Sequence, residues 1–102
     1  MYLTPENICL PYDINITNTW FKKNGVTLYA QPESGDCTMC IKIVNSSKQK
    51  KDATLQIYAE LKGGSRSILS EEAISLMPDE EFNNSYQITV QKEEKIGAVL
   101  IN

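Results

Sequence analysis

A chain of 102 residues with 13 acidic side chains, 10 basic ones and no histidine is long enough to bury a core of its own, so a single domain over residues 1–102 is expected. Its formal charge of −3 supplies no clustered positive field for nucleic acid or an anionic membrane. No apolar run reaches the roughly 18 residues that cross a bilayer, so neither nucleic-acid binding nor membrane insertion is expected. Without an imidazole there is no Ser-His or Cys-His nucleophile pair. The adjacent carboxylates that remain, Glu71–Glu72, Asp79–Glu80–Glu81 and Glu93–Glu94, read as solvated edges, and neither an enzyme nor a cofactor is expected.

The opening MYLTPENICLPYD lacks the basic-then-apolar order of a signal peptide. Three cysteines, Cys9, Cys37 and Cys40, are an odd number, which argues against an extracellular disulfide framework. A cytoplasmic location is favoured on both counts, unless the chain is an excised domain. The Cys37–Thr38–Met39–Cys40 spacing resembles a redox or zinc motif but runs straight into a strand pattern, and further ligands are missing. Free thiols without metal are the expectation.

Along the chain, Ile8, Leu10, Tyr12, Ile14, Ile16 and Trp20 share one parity, the period of a long first strand. Pro11 places that strand at a sheet edge or at a switch between sheets. Trp20 lies on the apolar parity, so it is expected in the core, with an exposed aromatic binding patch as the alternative. Asn24–Gly25 supplies the positive φ angles of a tight hairpin, and Val26–Ala30 forms the second strand. The segment 31–36 is a loop without the ligand spacing of a calcium site.

The chain then reads as arranged around Cys37–Leu61. Met39, Ile41 and Ile43 alternate in one run, and Ala53, Leu55, Ile57, Ala59 and Leu61 in the next. The two are expected to form a hairpin with matching apolar faces. Lys48, Lys50 and Lys51 cluster in its loop, the densest positive patch, a candidate contact for an acidic partner.

Residues 68–77 fit a strand with an irregular start better than a helical turn, because Pro78 closes the segment early. Residues 79–84 read as a corner. Tyr86, Ile88 and Val90 alternate against Gln87, Thr89 and Gln91. The final run, IGAVLI at 96–101, is apolar on both parities. It reads either as an interior strand covered on both faces or as a strand that packs on a partner. Val99 and Ile101 are the candidate binding residues.

Seven strands with turn signals every eight to twelve residues point to an all-β, antiparallel sandwich. The order Val44–Asn45–Ser46–Ser47, charged loop, Leu55–Gln56–Ile57–Tyr58, Gly63–Gly64, Ile74–Ser75–Leu76–Met77–Pro78–Asp79 and Tyr86–Gln87–Ile88–Thr89–Val90 resembles bacterial immunoglobulin-like and fibronectin-like modules of the cell-adhesion-related kind. The resemblance spans residues 37–102, and Met77–Pro78–Asp79 stands where those modules carry a glycine-bearing turn. It implies an immunoglobulin-like sandwich with a docking, spacer or adhesion role and no catalytic residue. The expected function is a non-enzymatic interaction module for a protein partner or a homo-oligomer. A loop-presenting inhibitor or antagonist of an enzyme is the alternative. A carboxylate enzyme or carbohydrate-binding module ranks last, for want of convergent polar groups. Asn15, Asn45 and Asn83 each begin an Asn-x-Ser/Thr pattern, which bears on function only in a secretory context.

Overall fold

The structure is a computed structural model and describes residues 13–101. Cys9, Pro11 and the expected strand residues Ile8, Leu10 and Tyr12 lie outside the described residues. Seven strands follow one another: β1 (Ile14–Lys23), β2 (Val26–Leu28), β3 (Gly35–Asn45), β4 (Lys51–Glu60), β5 (Arg66–Leu76), β6 (Glu81–Val90) and β7 (Lys95–Ile101). They form two antiparallel sheets, one of four strands in the order β2-β1-β3-β6 and one of three in the order β5-β4-β7. No helix occurs among the described residues.

Alternation places Cys37, Met39, Ile41 and Ile43 of β3 and Ala53, Leu55 and Ile57 of β4 in one core, with Ile74 and Leu76 of β5 and Ile88 and Val90 of β6. The apolar parities of β3 and β4 thus match as expected, but the two strands do not pair. They belong to opposite sheets and face each other across the core. The expected hairpin is instead an arch, and its cause is Asn45. This side chain is fully buried. Its Nδ2 donates to the carbonyls of Gln49 (2.8 Å) and Leu76 (2.9 Å). Its Oδ1 accepts from the N–H (2.9 Å) and the hydroxyl (2.7 Å) of Ser47. These bonds fold residues 46–50 over the end of the sandwich, so the chain enters the second sheet rather than turning back beside β3. An Asn committed to four internal bonds is not a surface acceptor for a sugar.

The first strand also departs from simple alternation. Register shifts between Ile16 and Asn18, so Thr17 is an extra residue and every later side chain changes face. Phe21, opposite Met39, is therefore the core residue, and Trp20, opposite Cys40, lies on the outer face of the four-stranded sheet. Trp20 is half-buried there rather than part of the core. The Asn24–Gly25 hairpin forms as expected, with φ of 52° and 79°, although β2 stops at Leu28. Residues 66–76 are a strand, and its irregular start is an extra residue, Leu69, between the partners of Ile57 and Tyr58.

The corner expected over residues 79–84 is shorter, because β6 begins at Glu81. Turns 77–80 and 91–94 are built alike. Glu80 N donates to the Met77 carbonyl (3.1 Å) while Met77 N donates to Glu80 Oε1 (2.8 Å). Glu94 and Gln91 repeat the pattern at 3.1 and 2.8 Å. The third residue of each turn, Asp79 (φ 63°) or Glu93 (φ 70°), takes the left-handed conformation that glycine adopts most freely.

Two outcomes are expected. Asn45→Ala removes four internal hydrogen bonds at a fully buried position and should lower unfolding stability by about 3 kcal/mol, read from urea midpoints. Glu93→Gly relieves a strained φ in an exposed turn and should raise stability by about 0.5–1 kcal/mol in the same assay.

Candidate functional site

The candidate site is built on β7. Its partner rows with β4 are Lys95 with Glu60, Gly97 with Tyr58, Val99 with Gln56, and Ile101 with Thr54. Among the described residues the three-stranded sheet ends at β7, so the expected interior strand is an edge strand there. The reason is topological: β4 supplies the central position, and β5 takes its other side through a local hairpin. Ile96, Ala98 and Leu100 pack inward against the core. On the outer parity, Gly97 is covered by the Tyr58 ring, so closely that a Cβ at Gly97 would lie 2.5 Å from it. Gly97 is thus required by contact, since the Tyr58 ring takes the place of a side chain there. Arg66 stacks over the other side of this arrangement, its guanidinium carbon 4.2 Å from the Tyr58 ring centroid.

One side chain shows which backbone groups face outward. The Ile96 N–H donates to Gln31 Oε1 at 2.7 Å, and Gln31 Nε2 donates to the Glu94 carbonyl at 2.7 Å. The side-chain amide does at this point what the peptide unit of another strand would do. Residues two apart in a strand direct their N–H and C=O groups to the same side. Ala98 and Leu100 therefore aim theirs away from β4, on the side where Gln31 holds Ile96. Beside them a groove of about 450 Å³ is lined by Ile14, Asn15, Ile16, Ala98, Val99 and Leu100.

Val99 and Ile101 stand together on the outer face, Val99 half-buried and Ile101 42 % exposed. Ile101 borders a shallow cleft of about 320 Å³ with Thr54, Ala73 and Ser75. Lys51 opens β4 three residues before Thr54, at the same end of the sheet as Ile101. Lys48 and Lys50 are exposed on the arch beyond it. Trp20 is not brought to this group, since it belongs to the outer face of the other sheet. Gln31, Tyr58 and Asn45 escaped the sequence reading. Only Tyr58 carried a signal, as a large residue on the wet parity beside a strand that contains glycine.

Cys37 and Cys40 are free and buried. Three apart in a strand, they point to opposite faces, Cys37 into the core and Cys40 outward beside Trp20. Burial pushes the Cys37 thiol up from its ordinary value, against the pull of Lys23 and with a small push from Asp36. Among the described residues no group of three or more His, Cys, Asp or Glu is placed to hold a metal ion. No helix among them is long and apolar enough to cross a membrane. One acid does form a defined contact: Glu72 of β5 accepts hydrogen bonds from the Tyr86 hydroxyl and from Asn84 Nδ2 (3.1 Å), both on β6. This closes the corner of the sandwich opposite the β1–β7 groove. Burial, and then the bond to Glu72, push the Tyr86 phenol well above its ordinary value.

No protein-family model and no curated protein sequence matches the chain. It is similar in structure to part of a β-glucosidase involved in saponin metabolism from intestinal bacteria, at a TM-score of 0.48 and 11% identity. That likeness covers 89% of this chain and 16% of the glucosidase.

The raised phenol has a consequence at alkaline pH. Its contribution to stability is whole below the ordinary tyrosine range near about 10 and is lost as pH rises toward the higher folded value, because the unfolded chain ionises first. Tyr86→Phe should therefore flatten the loss of melting temperature above about pH 10. An unchanged alkaline profile would show that the Glu72 contact does not hold the phenol proton.

Proposed function

We propose that this chain is an immunoglobulin-like module that works by docking on a protein surface and carries out no catalysis. The docking element in this reading is β7, with its open edge and the Val99 and Ile101 side of its outer face. The finer description as immunoglobulin-like is supported by sheets of four and three strands, with the connections β3–β4, β5–β6 and β6–β7 crossing from one sheet to the other. One observation carries the functional reading: β7 is an edge strand of seven residues whose last six, 96–101, have no charge. Proteins blunt such edges with lysine, proline, shortness or a covering element, because an open edge is a template for another strand. Strand addition is an established mode of peptide and domain recognition, in which main-chain bonds give affinity and alternate side chains give selectivity.

A second reading, the loop-presenting inhibitor, is favoured by the arch at 46–50. Inhibitory loops need rigidity, and this one is braced from within. Ser47 Oγ lies 2.7 Å from both Asn45 Oδ1 and the Gln49 carbonyl, while Gln49 N donates back to Ser47 Oγ at 3.2 Å. Lys48 and Lys50 stand exposed on this support.

Two sets of substitutions separate the readings in chemical cross-linking with extract from the native host. Val99→Lys and Ile101→Lys replace outer-face side chains and should leave the melting temperature within a few degrees, at a cost of about 0.5–1 kcal/mol. Docking predicts that each lowers the yield of cross-linked protein at least about tenfold, the ratio equivalent to about 1.4 kcal/mol. If both unfold the chain, these residues are core and the reading fails. If cross-linking persists but disappears with Lys48→Glu and Lys50→Glu, the inhibitor reading replaces it.

A further inference from the structure

We infer that the partner of the β7 edge is the same edge of a second copy of this chain, antiparallel to the first, about a two-fold axis at Val99. The inference rests on the docking reading above and adds the identity and register of the occupant. Among the sheet edges, β2 has only three residues, and β5 and β6 face each other through side-chain bonds from Tyr86 and Asn84 to Glu72, whereas residues 96–101 of β7 are apolar throughout as well as uncharged.

The register follows from which groups are open among the described residues. Ala98 and Leu100 direct N–H and C=O outward, whereas the Ile96 N–H is already held by Gln31. Two antiparallel copies exchange bonds where an outward residue meets an outward residue. Pairing Ala98 with Leu100 of the second copy does this twice, by symmetry, and makes four backbone hydrogen bonds from residues whose N–H and C=O Gln31 does not hold. A slip that sets Ala98 opposite itself brings Leu100 of the second copy onto Ile96 and displaces Gln31. A slip the other way needs residue 102, which lies outside the described residues.

Side chains in the chosen register are self-complementary, as a two-fold contact requires. Val99 meets its own copy on the outer face. Ile101 stands beside Gly97 of the second copy, which has no side chain, and against the Tyr58 ring that covers it. Extending the rows of both sheets past Ile101 sets Lys95 in the same row as Asp52 of the second copy, two strand positions away, again twice. Opposite charges thus flank an uncharged centre. One strand pair is a small interface, below the range of permanent dimers, so the association is reversible.

The test is sedimentation of the purified full chain in reductant, over about 5 to 500 µM, the range where small interfaces are populated. A shift from monomer to dimer is expected. Ala98→Pro removes an outward N–H and leaves the pairing with β4 intact, so it should stay monomeric throughout with its melting transition retained. Should that variant unfold, Val99→Lys serves instead, because it sets two like charges against each other at the axis. Val99→Cys reads the register. Directly opposed residues of a non-hydrogen-bonded pair have Cα atoms about 4.5 Å apart, within disulfide reach. Mild oxidation should therefore link position 99 of both copies, assigned by peptide mapping against the native cysteines. Three results would overturn the inference: a monomer at every concentration, a dimer that survives both Ala98→Pro and Val99→Lys, or no link at position 99. If the chain is monomeric yet Val99→Lys abolishes cross-linking to another protein, the second copy is excluded and docking through β7 stands. If Val99→Lys changes neither, both fall.

Discussion

Asn45 is a buried side chain with no unused polar atom. An Asn amide has two N–H donors and two acceptor lone pairs. Two carbonyls, from residues 49 and 76, take the donors, and the N–H and hydroxyl of Ser47 fill the acceptor sites. Its backbone is engaged as well, since Asn45 N donates to the Glu80 carbonyl (3.1 Å) and Asp79 N donates to the Asn45 carbonyl (2.8 Å). One residue thus joins the end of β3, the arch into β4, the end of β5 and the turn into β6. An apolar residue of similar size could fill the space but would make none of these four side-chain bonds, leaving the Ser47 and Gln49 groups at that end short of partners, at a cost of about 1–3 kcal/mol. The crossing from one sheet to the other depends on this side chain.

The all-β class, the strand character of residues 66–76 and the Asn24–Gly25 hairpin were legible from alternation and turn chemistry, because each is a local property. Errors arose where a local pattern has two global solutions. The apolar parities of β3 and β4 match equally well for strands side by side and for strands facing across a core, and only the bonds of Asn45 decide between them. Thr17 is another such case: a polar residue among polar neighbours gives no sign that it is an extra residue, yet it exchanges Trp20 for Phe21 in the core. At the candidate site, the absence of charge in 96–101 could be read directly, but its edge position could not. That position depends on β4 receiving β7 from a distance of more than thirty residues.

The β7 edge shows how partial the blunting of an open strand can be. Gln31 shields one step of it with a side-chain amide, and Tyr58 shields Gly97 from the outer face. Neither reaches Ala98 or Leu100. At the opposite corner, Glu72 instead joins the two sheets, accepting from Tyr86 and Asn84 of the facing strand.

The bond from Asn45 to Leu76 also bears on chain length. It spans thirty-one residues and encloses the whole of β4 and β5. The entropy of closing a loop rises only slowly with its length. Residues inserted at 61–65, between β4 and β5, would therefore leave this closure almost unchanged, and that connection is where the chain can lengthen without loosening the crossing at Asn45.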